Sequence, residues 1–349
     1  MPLIRSLAVE IIEVPLRHPF ATARDHLSRQ VSRPVVVSAI LDDGRIVCAE
    51  AAPVEYVTGE TQASVEQDMR SVGSLVVGAD VRRIGSVCDA VRAALPGRPA
   101  AVAAVEALLH HARAMAEGGS LWRSFGGALE RLETDITLSI THEAAERARE
   151  AVAAGFRLLK LKLSGEHGED LQRIRDVVEA APGTTLRLDA NQAYSADGIL
   201  RLVDAALDAG APIQLVEQPV PREDIAGLDA AARRCPAPVF ADEAICSPSD
   251  ALRVLGRTCV QGVNVKLMKS GIQGALDIIA ITRAEGRRLM IGCMLETRRG
   301  LRPSIALALG TGAFEYYDLD SHLLLREEGE CPWFGVTGPW IEIDPDRAP

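Results

Sequence analysis

The chain writes almost every cation as arginine: of 38 basic residues, 34 are Arg, and the four lysines are Lys160, Lys162, Lys266 and Lys269. Arg stays protonated, whereas a lysine can lose its proton and act as a base or a nucleophilic amine. Two of these lysines fall in step with carboxylates. Lys162, Asp189, Glu217, Asp242 and Lys266 follow one another at intervals of 27, 28, 25 and 24 residues, each the length of one strand–helix unit. Asp189, Glu217 and Asp242 form an all-oxygen donor set without His or Cys, and their mutual repulsion calls for a hard cation, Mg²⁺ with Mn²⁺ as a substitute. Two amines flanking such a cation suit removal of the proton α to a metal-bound carboxylate from one face and its return to the other. The cation then stabilises the charge that develops on the enediolate oxygens. Lys160, so close to Lys162, is expected to support that charge and to depress the pKa of its neighbour.

Such residues need a frame that brings distant segments to one place. From residue 134 the chain alternates short apolar runs (136–140, 158–163, 185–190, 213–217, 239–242, 263–268, 289–294 and 314–319) with helical stretches. Eight alternations fit a parallel α/β barrel or a doubly wound sheet. No GxGxxG or GxxxxGK[ST] opens a helix here, which removes the usual signature of the nucleotide-binding open sheet and favours the barrel. In a barrel strand the side chains alternate between the outer helices and the interior. Leu159, Leu161 and Leu163 then take the helix side, and Lys160, Lys162, Arg187, Asp189, Asn264 and Lys266 point inward, as does Thr137 between Ile136 and Leu138. On an open antiparallel sheet Lys160 and Lys162 would instead be a solvated pair. One buried Asp is more often a satisfied structural hydrogen-bonder, but five ionisable groups in phase would each carry a desolvation cost without a shared purpose. Asp318 and Asp320 share a face at the end of the eighth run, where they either hold a cation or cap a turn.

The opening third has a different grammar. Residues 3–15 and 35–50 read as strands, the second broken at Asp42-Asp43-Gly44 by a hairpin turn. Segment 17–33 is polar without periodicity and reads as a long loop, and 61–115 is helical in pattern. The expected division is an α+β domain over 1–125, a barrel over 126–325 and a tail over 326–349, with Trp333, Phe334 and Trp340, that packs back on the first domain. At 48% hydrophobic and 25% charged the chain has an ordinary globular composition. Its net charge of −10 argues against a nucleic-acid partner. No apolar stretch approaches the roughly 18 residues of a membrane span. Arg5, Glu10 and Glu13 interrupt any secretory signal. Seven cysteines without a CxxC spacing imply reduced thiols in a cytoplasmic protein and no zinc site.

The motifs Lys160-Leu161-Lys162, Asp189-Ala190-Asn191, Glu217-Gln218-Pro219, Asp242-Glu243 and Lys266-Leu267-Met268-Lys269 together resemble the enolase superfamily, in its muconate lactonizing branch, over nearly the whole chain. The resemblance implies a modified TIM (β/α)7β-type barrel with an N-terminal α+β capping domain. It implies Mg²⁺ on Asp189, Glu217 and Asp242, an acid–base pair in Lys162 and Lys266, and Lys160 beside the enediolate, the known chemistry of that superfamily. The mandelate racemase branch fits poorly, because the seventh run supplies no His. Asp318-Leu319-Asp320 is similar to the paired aspartates with which dipeptide epimerases hold the substrate's α-ammonium. Glu296-Thr297-Arg298-Arg299-Gly300 is similar to the branch's Glu-Ser/Thr-x-x-Gly motif. Ser270-Gly271-Ile272 departs from it, since relatives carry two glycines there.

By the same resemblance the segment 17–33 closes over substrate. Arg24 or Arg298 would meet an acidic side chain or else stay solvated, and Thr137 would touch substrate or be satisfied inside the barrel. Asn191, Arg187, Glu243, Asn264 and Glu296 would support the ligands from behind. The expected activity is a Mg²⁺-dependent epimerase acting on L-Ala-D/L-Glu or a related dipeptide. N-acylamino acid racemase, o-succinylbenzoate synthase and cycloisomerase share the half-reaction. A Schiff-base lysine lyase and a non-catalytic ligand-binding barrel stand further off. The expected partners are the dipeptide and further copies of the chain.

Overall fold

The computed structural model describes residues 2–24, 28–327 and 333–343. Eight parallel strands form the sheet that carries the chemistry: Ile136–Leu138, Leu158–Lys162, Thr185–Asp189, Ile213–Glu217, Val239–Ala241, Gly262–Val265, Arg288–Gly292 and Tyr316–Asp318, neighbours in chain order. The eight expected runs each overlap one of these strands, and Gly262–Val265 and Arg288–Gly292 begin one residue before theirs. The first and eighth strands lie at the two ends of the order, and the gap between them is bridged by the bond from Leu319 N–H to Thr134 Oγ1 at 2.8 Å. Seven of the strands are followed by long helices, among them Ala144–Ala153, His167–Ala180 and Arg298–Thr311, but the eighth only by the short Ser321–Leu324. The barrel is therefore of the expected (β/α)7β form.

Strand parity is as the alternation requires. Leu159, Leu161, Leu186, Leu188, Val263 and Val265 are buried in the main core, which they share with the outer helices. The opposite face builds the barrel interior in layers. Leu215, Phe240 and Met290, with Tyr316 against them, make an apolar plug from strands four, five, seven and eight. The Phe240 ring takes the space where a side chain at 262 would lie, only 2.2 Å from the place of a Cβ, so that position must be Gly. Two residues further along strands four, five and eight the interior becomes ionic, with Glu217, Asp242 and Asp318.

The N-terminal unit is a three-stranded antiparallel sheet, Ile4–Ile11, Val35–Leu41 and Ile46–Ala51, whose hairpin turns at Gly44 with φ 88°. Helix Pro99–Ala116, rich in small alanines, is packed between strand Ile46–Ala51 and barrel helix Leu267–Ala284. This clamps the two units together.

Two expectations are corrected. Segment 17–33 is not one long loop: Val14–Phe20 and Arg29–Ser32 pair as antiparallel strands around a short connection. Its polar side chains hid the alternation because a two-stranded ribbon at the barrel mouth has little core to face. The tail also does not return wholly to the first domain. Leu325 bridges Leu16 and Arg326 N–H donates to Pro15 O, but strand Trp340–Glu342 pairs with Arg131–Glu133, immediately before the first barrel strand. Trp340 lies under the Arg131 guanidinium, and Trp333 under that of Arg302. Among the described residues the cysteines are free, while Cys331 lies outside them. No described helix is long and apolar enough to cross a membrane.

Candidate active site

The barrel mouth collects the residues singled out by spacing. Register places Lys162 opposite Asp189 and Asp189 opposite Glu217, but Glu217 opposite Phe240. Asp242 and Lys266 therefore stand further along their strands. The five groups expected in phase are thus not level: tilted strands in a closed barrel are staggered, so the ring climbs as it turns. It nonetheless closes chemically. Lys162 Nζ is 2.6 Å from Asp189 Oδ2, and Lys266 Nζ is 2.8 Å from Asp242 Oδ2. Lys160 Nζ reaches Asp189 Oδ2 at 2.9 Å, Glu217 Oε2 at 2.7 Å and Asp318 Oδ2 at 2.7 Å.

The electrostatics follow from this crowding. Burial pushes the Asp189 carboxyl up, but Lys160, Lys162 and Lys266 outweigh it and hold Asp189 below the usual range. Asp242 is held low against burial by Lys266 and Lys269. Glu217, with Asp189 and Asp242 on either side, is pushed up to about 8 by burial and then by Asp189. Lys160 and Lys266 end well above the ordinary lysine value: burial lowers them, and the carboxylates they touch raise them more. Lys160 and Lys162 share Asp189 Oδ2, at 2.9 and 2.6 Å.

Neighbouring amides hold these carboxylates in place. Asn264 Nδ2 donates to Glu217 Oε1 at 2.8 Å, and Asn191 Nδ2 to Glu243 Oε1 at 3.1 Å. Burial, then Asp242, pushes Glu243 up to about 7. Asn191, Gln192 and Gln218 all have positive φ, so the turns after strands three and four carry backbone strain at the site. Arg187 sits lower than expected. Its guanidinium bonds Asp135 Oδ2 and Tyr317 O, each at 2.7 Å, and closes the barrel wall beneath the mouth instead of supporting a ligand. Glu296 accepts from Met294 N–H at 2.9 Å, inside its own loop, and is pushed up to about 8 by burial.

At the end of strand eight, beside Lys160, Asp318 and Asp320 are buried next to Thr137, whose N–H donates to Asp320 Oδ2 at 2.6 Å. Asp320 is pushed up to about 6 by burial and by Asp318, while Asp318 is held low by Lys160 against its burial. With Asp135 these two form the tightest acidic trio among the described residues, their ligand-type oxygens all within 4.8 Å. Asp189, Glu217 and Asp242 are spread more widely around the lysines that touch them.

The mouth pocket is walled on the barrel side by Thr137, Lys160, Lys162, Lys266, Asp318 and Asp320, and on the capping side by Phe20, Thr22, Arg29 and Tyr56. Neither Arg24 nor Arg298 is part of that wall. Arg24 is exposed, and Arg298, at the start of its helix, faces Glu327. Arg29 takes the place expected for one of them, and nothing in an arginine-rich sequence marks it. Gln218 was also missed as an individual residue: its side-chain oxygen accepts from Asp242 N–H and Ala244 N–H at 2.9 and 3.1 Å. At the end of strand seven, Gly292 has Asn264 and Lys266 within 2.8 Å of where a Cβ would stand, so a side chain there would displace both. A larger groove of about 1140 Å³ runs outside strand one, but its Arg147 is paired with Glu143 and Glu150. The ionisable cluster belongs to the smaller pocket.

Comparison with known proteins agrees with this geometry. Residues 143–333 match the family described as Enolase C-terminal domain-like. The L-Ala-D/L-Glu epimerase of Thermotoga maritima is 36% identical over 314 residues, 89% of this chain and 91% of that protein. The aromatic dipeptide epimerase of Herpetosiphon aurantiacus is 34% identical over 97% of this chain and 96% of its own. A crystal structure of the dipeptide epimerase from Enterococcus faecalis V583, complexed with Mg and the dipeptide L-Leu-L-Tyr, superposes with a TM-score of 0.92 at 29% identity and covers 98% of both chains. The chain belongs to the enolase superfamily, in the mandelate racemase/muconate lactonizing subgroup that holds the dipeptide epimerases.

Proposed function

We propose that the protein is a Mg²⁺-dependent dipeptide epimerase that inverts the α-carbon of the C-terminal residue. The observation that carries the reading is the placement of Lys162 and Lys266 four strands apart around the carboxylates, with Asp318 and Asp320 beside them.

The donor set fits a hard divalent cation. Asp189, Glu217 and Asp242 offer only oxygen, and burial and then Asp189 push the Glu217 carboxyl up to about 8, which a cation placed among the three would oppose. Bound there, Mg²⁺, or Mn²⁺ in its place, would draw charge from the substrate's carboxylate and acidify the α-proton. The chain's own residues do the rest. Lys162 and Lys266 take the proton from one face and deliver one to the other. Lys160, surrounded by three carboxylates, stays cationic and stabilises the charge that develops on the substrate carboxyl. Asp318 and Asp320 hold the substrate's N-terminal ammonium, and Thr137 fixes Asp320 for that task. The C-terminal side chain meets the wall of Phe20, Arg29 and Tyr56, whose guanidinium and phenol suit an acidic or hydrogen-bonding group.

The unit 1–125 then supplies specificity and the barrel supplies chemistry. The free cysteines suit a reducing, cytoplasmic setting, and the assembly is read as a homo-oligomer. The test is a dipeptide library in D₂O with Mg²⁺, followed by mass. We expect some members to gain one deuteron at the α-carbon, to stop with EDTA and to resume with Mg²⁺ or Mn²⁺. A protein that binds metal yet exchanges no dipeptide contradicts the reading.

A further inference from the structure

Lys269 is the lysine that the proton-transfer chemistry does not use. It is buried, 2% exposed, and lies one helical turn beyond Lys266, with its N–H donating to Lys266 O at 2.9 Å. Its ammonium meets three acceptors, Asp242 Oδ1 at 2.5 Å, Asp242 O at 2.6 Å and Asn264 O at 2.9 Å. Three acceptors around one nitrogen suit the ammonium of Lys and not the planar fork of Arg, which accounts for a lysine here in a chain that otherwise uses Arg.

Asp242 is thus gripped on both oxygens. Lys266, a residue of the mouth wall, holds Oδ2 at 2.8 Å, whereas Lys269 is not part of that wall and holds Oδ1 from behind. The turn that carries Lys269 is itself anchored. Gly271, at φ 70° and ψ −180°, breaks the helix there, and Glu106 of the capping domain accepts from Ile272 N–H at 2.7 Å and Gln273 N–H at 3.2 Å. A Cβ at 271 would lie 2.7 Å from Glu106 Oε2, so this position requires Gly.

We propose that Lys269 is a positioning residue that occupies Oδ1 of Asp242, restricts this carboxylate to a one-oxygen contact with the divalent cation, and so gives the site its preference for Mg²⁺ over Ca²⁺. Mg²⁺ demands compact octahedral coordination by single oxygens, while Ca²⁺ is larger and takes both oxygens of a carboxylate readily. An Asp242 free to turn both oxygens to the mouth favours the larger ion.

The inference rests on the metal site proposed above, and the test separates the two. MgCl₂ and CaCl₂ are titrated calorimetrically into EDTA-stripped protein, wild type, Lys269→Met and Lys269→Arg. The wild type should bind Mg²⁺ the more tightly, and the ratio of Mg²⁺ to Ca²⁺ affinity should fall by about tenfold in Lys269→Met, with no rescue by Lys269→Arg. Affinities that change in parallel, or a ratio that Arg restores, overturn the proposal and leave Lys269 as a tie between strand ends. Wild-type protein that binds neither ion overturns the metal site and this proposal together. Should both variants fail to fold, a crystal structure of the wild type with Mg²⁺ decides: Oδ1 still on Lys269 supports the proposal, and Oδ1 on the metal overturns it.

Discussion

Two sets of buried carboxylates occupy this molecule, and they are held in opposite ways. At the seams of the capping domain, Glu50, Glu60 and Glu106 each accept from the free N–H groups of a helix start: Thr297, Ala100 with Ala101, and Ile272 with Gln273. Oriented backbone dipoles satisfy them, and no other acid is among their hydrogen-bond partners. At the mouth, Asp189, Glu217 and Asp242 face one another and lysines, and Glu217 is driven up to about 8 by burial and by that company. Backbone donors make a buried acid structural. Other acids and movable protons make it an instrument.

If that contrast is right, mouth and seam variants must fail differently. The largest effect belongs to Lys162→Met. It removes a proton carrier but leaves Asp189 paired with Lys160, so turnover should fall about 10³-fold or more while the melting temperature barely moves. Deuterium exchange from D₂O measures it; activity within tenfold of wild type would remove Lys162 from the proton path. Glu106→Ala is the seam counterpart. It takes the acceptor from the buried Ile272 N–H and the half-buried Gln273 N–H and leaves Arg92 with Asp89 alone, so it should cost about 1–3 kcal/mol of stability in urea unfolding. The folded fraction should retain its turnover, and the reverse pattern would erase the distinction.

Asp320→Asn is a subtler break at the mouth. The amide can still accept from Thr137 N–H, but the pair loses a negative charge. We expect kcat/KM for a dipeptide with a free amine to drop by about 10²-fold, roughly 2.7 kcal/mol, and that for an N-acylated amino acid to change little. Equal losses on both substrates would count against an ammonium anchor and in favour of the acyl-amino-acid enzymes of the same superfamily.

The mouth set was legible in the sequence and the seam set was not, for a physical reason. Strand parity and the length of a βα unit are periodic, so Lys162, Asp189, Glu217, Asp242 and Lys266 stand out in phase. Glu50, Glu60 and Glu106 meet partners 247, 40 and 166 residues away with no common interval. Lys269 was visible as an oddity of composition, but its acceptors include two backbone carbonyls, which no sequence pattern marks. Arg29 and the ribbon that carries it were missed because side chains over a polar mouth lack the apolar alternation that reveals a strand. The stagger of Asp242 and Lys266 depends on barrel tilt, which chain spacing does not encode.

The smallest effect is a pH slope at the seam. Burial pushes Glu50 up from an ordinary 4.5 to about 7 against the lowering bonds from Thr297, with Arg299 lowering it and Glu327 raising it through space. The folded protein therefore keeps this proton over a range where the unfolded chain has released it. The associated stability is complete below about pH 4.5 and is lost as the pH rises through about 7. Glu50→Gln stays neutral throughout, and its amide can donate to Thr297 Oγ1 while its oxygen accepts from Thr297 N–H. The variant should match wild type near pH 4.5 and exceed it above pH 7 by at most about 3 kcal/mol. Thermal unfolding across that window measures the difference. If it stays flat, or if the variant is the weaker at high pH, Glu50 is anionic in the fold and the seam is an ion-dipole contact. Glu296, raised to about 8 by its own burial and in part by Glu50, titrates just above the same window. A slope that survives in Glu50→Gln and vanishes when Glu296 is also changed to Gln belongs to the loop that leads from barrel strand seven into the seam.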